Sequence, residues 1–221
     1  MAHRTWFWNS MARRYFRQAI ADPAAYETKL DMTRAHLKPT MRLFEFGCGT
    51  GSTALLHAPL VRHIDALDVS PKMIDIAREQ AAEKKITNVD FHVGAIQDWP
   101  QQGVPRESNA HESNARESGP YDMVLGLSIL HLLADRQAVL RQVHAQLTDG
   151  GLFVSSTSCI ADMGGLVPRL LPIATRLGLV PILRIFTADE LIADMERAGF
   201  EIIETFRPGP DQAIFLICRK A

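Results

Sequence analysis

The sequence predicts an α/β fold: one doubly wound, seven-stranded, mostly parallel sheet with an antiparallel last strand. Three observations predict it. From residue 41 onward, short apolar runs alternate with segments of helical periodicity. The first apolar run ends in the glycine-rich turn Gly47-Cys48-Gly49-Thr50-Gly51. The last two runs are joined only by Pro208-Gly209-Pro210-Asp211, a link short enough for antiparallel neighbours.

Taken in order, residues 1–38 read as helical, with Met11, Tyr15 and Phe16 and then Tyr26, Leu30, Thr33 and Leu37 at helical spacing. Asp22-Pro23 is an N-cap and first-turn pair that starts a second helix, and Pro39 closes it. Met41–Phe46 is a buried strand. Ser52–Leu60 is a helix, and His63–Asp68 a second strand. Ser70-Pro71 caps a helix running to about Lys85, with Ile74, Ala77 and Ala81 on one face. Val89–Val93 and Tyr121–Leu127 are the third and fourth strands. Leu132–Leu147 reads as a helix ended by Asp149-Gly150-Gly151. Leu152–Thr157 is the fifth strand. Thr187 and Glu190 form a capping box opening a helix that Gly199 closes. Phe200–Phe206 and Ala213–Arg219 complete the sheet.

Bulk properties bound the function. The chain has 221 residues, 47% hydrophobic and 22% charged, enough for one α/β domain with a full core. Its 24 basic and 25 acidic residues give a net charge of -1, so no electrostatic grip on nucleic acid is expected. Cys48, Cys159 and Cys218 are dispersed and form no C-x-x-C pair, so neither a disulfide framework nor a metal site is expected. The opening MAHRTWFWNS lacks the pattern of a secretion signal, and no apolar run reaches membrane-spanning length. A cytoplasmic location is expected.

The chemistry-bearing signal is Leu43-Phe44-Glu45-Phe46 followed by the glycine turn. Glycine lets the backbone turn sharply and approach a ligand, and the next helix offers its N-terminal amides to an anion. Asp68 at the tip of the second strand is placed to accept both hydroxyls of a ribose. A dinucleotide fingerprint needs its third small residue three places after the second glycine. That position is Ser52, whereas the glycines here run 47, 49, 51 with an acid two residues ahead of the first.

This spacing resembles motif I of the class I S-adenosylmethionine-dependent methyltransferases, which are Rossmann-like, and the final hairpin resembles their antiparallel seventh strand. The resemblance extends over nearly the whole chain from residue 41, nearest to quinone-pathway and other small-molecule methyltransferases. It implies S-adenosylmethionine as cofactor. It implies cofactor contacts from Glu45, Gly47, Cys48, Gly49, Thr50, Gly51 and Val69, with Asp68 on the ribose and Met73 beside the adenine. Ala95 stands where the family usually has an acid, and Ile96 would read the adenine through its backbone. Gly119-Pro120-Tyr121-Asp122-Met123-Val124 is similar to the family's fourth-strand motif, after which Leu127 would offer its carbonyl to the cofactor's amino group. Tyr15, on the N-terminal helical lid of residues 1–38, would cover the cofactor.

The cofactor supplies the methyl group on a sulfonium, so the protein needs to align acceptor, methyl and sulfur and exclude water. His131, just past the fourth strand, is the candidate base, with a surface or capping histidine as the alternative, and no catalytic residue is assigned.

Two inserts interrupt the rhythm. Residues 101–119 carry a near-repeat, Arg106-Glu107-Ser108-Asn109-Ala110 and His111-Glu112-Ser113-Asn114-Ala115, and read as a solvated, flexible loop. Residues 160–186 are apolar, with Leu166, Leu170, Leu171, Ile173, Leu177 and Ile182 interleaved by Arg169, Arg176 and Arg184. They read as a cap over a hydrophobic small-molecule acceptor with a weak membrane-surface contact, or as short helices extending the core. A nicotinamide-dependent oxidoreductase and a non-catalytic S-adenosylmethionine-binding protein are the alternatives.

Overall fold

The computed structural model describes residues 2–99, 119–164, 175 and 183–221. The 101–119 insert, apart from Gly119, and most of the 160–186 insert lie outside the described residues, and with them the expected membrane contact.

Seven strands form one sheet in the order β3-β2-β1-β4-β5-β7-β6. They are β1 Arg42–Phe46, β2 His63–Asp68, β3 Val89–Val93, β4 Tyr121–Leu127, β5 Leu147–Thr157, β6 Phe200–Phe206 and β7 Ile214–Lys220. Strands β1 to β5 pair in parallel, and β7 is antiparallel to both neighbours, β5 and β6. The described helices are α1 Ala2–Arg17, α2 Pro23–Arg34, α3 Ser52–His57, α4 Pro71–Glu83, α5 Arg136–Gln146 and α6 Ala188–Arg197.

Strand β1 is buried along its whole length because helices cover both faces of the sheet at its centre. Alternate β1 residues therefore feed two cores. Phe44 and Phe46 join Val124, Leu140, Phe153 and Leu191 on the α5/α6 face. Leu43 joins Ile64, Ala66, Ile74 and Ala77 on the α3/α4 face. Phe44 stacks on Trp99 and Tyr121 with ring centroids 5.0 and 5.3 Å apart. Each such fully buried side chain contributes about 1.5–3 kcal/mol.

Caps set the helix starts. Asp22, Ser70 and Asp135 accept hydrogen bonds from Ala25, Met73 and Ala138, and Thr187 with Glu190 forms the expected capping box. Two elements differ from expectation. The helix expected from Leu132 begins at Arg136, because residues 130–132 make a 3-10 turn and the Asp135 carboxylate then caps the new helix. The expected turn at Asp149-Gly150-Gly151 lies inside β5, where four residues of β5 face one of β4 between the pairs Tyr121–Leu147 and Met123–Leu152. Gly150 takes φ +70° there.

Helix α1 docks on α4. Asn9 Oδ1 accepts the Ser70 hydroxyl at 2.7 Å, so α1 is tied to the cap residue that follows β2. Helix α2 sends Lys29 Nζ to Ser156 Oγ of β5 at 3.3 Å. Both N-terminal helices thus meet the sheet where its parallel strands end.

Candidate functional site

The neighbours of β1 in the sheet are β2 and β4, and the chain leaves β1 in opposite directions to reach them. This switch point opens a crevice beyond the carboxyl ends of the strands, the usual ligand position in such sheets. Gly47, Asp68, Ala95, Leu127 and Ser156 mark the ends of β1 to β5 along it.

The glycine turn is built by steric necessity. Gly47, Gly49 and Gly51 have φ of +70°, +55° and +76°. A Cβ on Gly47 would lie 2.8 Å from Ile129, and one on Gly51 would lie 2.7 Å from the Phe91 ring. The turn's amides are directed inward. Gly47 and Cys48 donate to the Leu67 carbonyl at 2.7 and 3.1 Å, and Gly51 donates to Cys48 at 3.0 Å. Gly49 donates to Asp68 Oδ2 at 3.0 Å.

Glu45 explains what fills the N-terminus of α3. The sequence alone suggested free amides there for an anion, but one of them is engaged internally: the Glu45 carboxyl accepts the Ala54 amide of the first turn. Glu45 is 3% exposed, and its Oε2 has no hydrogen-bond partner among the described residues. Burial, reinforced by the nearby Asp68 carboxylate, pushes its pKa up to about 8. Asp68 sits at the lip of β2. Its Oδ1 accepts the Ser70 amide at 2.8 Å, and burial raises its pKa despite the two backbone bonds. A carboxylate has about four acceptor positions, so two backbone bonds leave room for hydroxyl donors.

The other sequence-derived residues fall around this acid pair. Tyr15, half-exposed on α1, carries its ring over the turn, with Cε1 3.8 Å from a Cβ placed on Gly49. Burial against the site, with Asp68, Tyr26 and Glu45 nearby, raises the pKa of its hydroxyl. Thr50 and Cys48 are buried, and burial holds the Cys48 thiol well above its usual pKa, so it is inert. Val69 is half-buried, and Met73 is 2% exposed on the first turn of α4. Ala95 is half-buried and precedes a 3-10 turn, Ile96–Asp98, in which Ile96 is buried. A pocket of about 410 Å³ opens beside Ala95, with Leu67, Gly94 and Trp99 among its lining. Leu127 ends β4 and is half-buried. His131 lies in the 3-10 turn after β4; its Nδ1 is buried without a partner among the described residues, and burial lowers its pKa.

Three residues escaped the sequence reading. Ser128 adopts φ +55°, a left-handed conformation rare outside glycine, and donates to the Ser156 carbonyl at 2.7 Å. Asn9 ties α1 to Ser70. Lys29 brings a half-buried ammonium to Ser156 at the end of β5, with its pKa lowered by burial. No local motif marks Lys29 or Ser128. The Asn9 pairing spans 61 positions, beyond any window of periodicity.

Comparison with known proteins follows the same line. A ubiquinone biosynthesis O-methyltransferase from Xanthomonas axonopodis pv. citri is 27% identical over 156 residues, which cover 66% of this chain and 59% of that protein. The chain thus spans less than two thirds of the length of that relative. Two solved structures share the fold. A magnesium protoporphyrin IX methyltransferase from Synechocystis PCC 6803 with bound SAH matches at TM-score 0.69 and 16% identity, over 100% of this chain and 99% of that one. An S-adenosylmethionine dependent methyltransferase from Mesorhizobium loti matches at TM-score 0.67 and 20% identity, over 90% of this chain and 99% of that one. The sequence model described as a methyltransferase domain matches residues 37–201, from the end of the N-terminal helices to the start of β6. The chain belongs to that methyltransferase domain family.

Proposed function

We propose that this protein binds S-adenosylmethionine at the switch point and transfers its methyl group to a small hydrophobic molecule. The observation that carries this reading is the pair of acids beneath a glycine turn whose amides are largely engaged. A dinucleotide pyrophosphate needs free amides at this turn. Here those of Gly47, Cys48, Gly49 and Gly51 are bonded internally, and Glu45 occupies the helix terminus. Two carboxyls in a low-dielectric crevice favour a ligand with a positive sulfonium and ammonium over one with a double negative charge.

On this reading the residues divide the work. Asp68 holds the ribose hydroxyls while fixing the turn through the Gly49 amide. The unpartnered oxygen of Glu45 supports the cationic methionine end. Gly47 to Gly51, Val69, Met73, Ala95, Ile96 and Leu127 form the walls around adenosine and amino acid, and Tyr15 closes the crevice from α1. When bound, the cofactor supplies an electrophilic methyl on a sulfonium that becomes neutral as the methyl leaves. The chain's part is to orient the acceptor and exclude water. His131, kept neutral by burial, is placed after β4 to take a proton from a hydroxyl acceptor. The three cysteines are free and buried, and burial raises the pKa of the Cys159 and Cys218 thiols to about 11 and 12, so neither serves as a nucleophile at neutral pH.

The test is a radiolabelled methyl-transfer assay over hydrophobic phenols, amines and carboxylic acids, run with wild type and Asp68→Ala. Transfer to at least one acceptor class, lost in the variant, is expected. Cofactor binding without turnover on any acceptor would favour a non-catalytic binding protein. Binding of a nicotinamide cofactor instead would overturn the reading.

A further inference from the structure

A second cluster of chemically able side chains lies at the opposite end of β2 and β3 from the crevice. His63 and Asp65 alternate on one face of β2, and β3 brings Asp90 into register beside Asp65. His63 Nε2 stands 3.5 Å from Asp65 Oδ1 and 3.7 Å from Asp90 Oδ2. One potential ligand atom from each of the three residues lies within 4.8 Å of the other two. Among the described residues, the buried Nε2 of His63 has no hydrogen-bond partner. The orientation of Asp65 is fixed from behind, because Tyr121 donates to its Oδ2 at 3.1 Å and the Arg42 guanidinium stands 3.5 Å from the same oxygen. That leaves Oδ1 turned toward His63. The cluster borders solvent: the His63 and Asp90 side chains are 16% and 19% exposed, so an ion has a way in.

The geometry points to a binding site for one divalent transition cation, of the zinc class, held by His63 Nε2, Asp65 Oδ1 and Asp90 Oδ2. A tetrahedral shell with metal–ligand bonds of about 2.0–2.2 Å has ligand–ligand edges of about 3.3–3.6 Å, close to the two His63 separations. One imidazole with two carboxylates suits zinc and its neighbours better than magnesium or calcium, which prefer oxygen alone. The Tyr121 bond to the far oxygen of Asp65 is the kind of outer support that orients a ligating carboxylate. His92, whose Nε2 lies 3.2 Å from Asp65 Oδ1, gives that oxygen a second imidazole neighbour. The site is structural rather than catalytic. Asp65 precedes Asp68 by three residues, about 10 Å along an extended strand, so an ion here clips the edge strand β3 to β2 without reaching the crevice.

The test uses the full chain, stripped with a chelator and titrated with zinc by calorimetry, alongside thermal melts with and without equimolar zinc. One ion per chain is expected, with a rise in melting temperature of about 5 °C. Asp90→Asn and His63→Gln should each weaken zinc binding at least tenfold while keeping the wild-type circular dichroism spectrum. Asp90→Asn, at the more exposed position, keeps the test decisive should His63→Gln misfold. No zinc uptake would overturn the proposal and leave His63 as an imidazole bridging two carboxylates. Uptake that both folded variants retain would overturn it as well, assigning the ion to other groups. Neither outcome bears on S-adenosylmethionine binding at the other end of the sheet.

Discussion

At the scale of single residues, the account turns on the protonation of Glu45. Its folded pKa of about 8 lies above the ordinary carboxyl value of 4.5, so at neutral pH the Glu45 carboxyl holds a proton in the ligand-free protein. A cationic ligand that draws the carboxylate into its charged form expels that proton. Calorimetry at pH 7 in two buffers of different ionisation enthalpy should show proton release on S-adenosylmethionine binding, and Glu45→Gln should abolish it. Heat independent of the buffer would contradict the assigned role. The same shift affects stability. Because the folded form binds the proton more tightly than the unfolded chain, this group's contribution is full below about pH 4.5 and is lost as pH rises through 8. The melting temperature of ligand-free Glu45→Gln should therefore fall less than that of wild type between pH 5 and 8. Asp68→Ala removes two backbone bonds and the ribose acceptor together. Affinity for S-adenosylhomocysteine should drop by about 30-fold or more, at about 1.5–3 kcal/mol per charge-assisted bond. The positions of Glu45 ahead of the glycine turn and of Asp68 at the tip of the second strand were legible in the sequence, and their contacts with a cofactor were implied by the resemblance. Glu45's bond to Ala54 was not visible as a specific contact, because it depends on how β1 and α3 meet across the turn.

At the scale of elements, the glycine turn admits a paired test. Gly51→Ala combines a left-handed φ with a Cβ 2.7 Å from the Phe91 ring. Denaturant unfolding should show a loss of about 2–4 kcal/mol. Gly150 has nearly the same φ, but nothing lies within 4 Å of its would-be Cβ. Gly150→Ala should cost only the conformational part, about 1–2 kcal/mol. Equal losses would mean that crowding by Phe91 is unimportant. The elements themselves were readable wherever a cap or a clean apolar run marked them, as with α4 behind Ser70 and the strand His63–Asp68. The start of α5 was misplaced because Leu130, Leu132 and Leu133 mimic a helical face, while the chain turns tightly and restarts at Asp135. The glycines at 150 and 151 read as a stop, whereas a sheet can absorb them as a bulge once a neighbouring strand supplies hydrogen bonds.

At the scale of the molecule, the mostly parallel sheet and its antiparallel last strand follow from strand–helix alternation and the short final link, both sequence properties, whereas the strand order, with β7 between β5 and β6, does not. Contacts between helices distant in the chain do not follow from such patterns. Arg136 of α5 binds Asp194 of α6 through Nε at 2.7 Å and also through Nη2, and its guanidinium stacks 3.8 Å over the Phe186 ring. Arg197 shares the same carboxylate at 2.6 Å. This junction fastens the C-terminal helix to the α5 face of the sheet. Arg136→Ala should lower stability by about 3 kcal/mol in a denaturant melt, because it strands a largely buried carboxylate. A loss below about 1 kcal/mol would show that Arg197 alone neutralises Asp194. The cofactor crevice is likewise a product of the whole. Residues from α1, β1, β2 and β4 converge there only because β1 lies between β2 and β4. The most direct test is therefore calorimetric titration of ligand-free protein with S-adenosylhomocysteine and, separately, with NAD. Saturable binding of one S-adenosylhomocysteine per chain and no heat with NAD is the predicted result; no heat with S-adenosylhomocysteine at high protein concentration would contradict it.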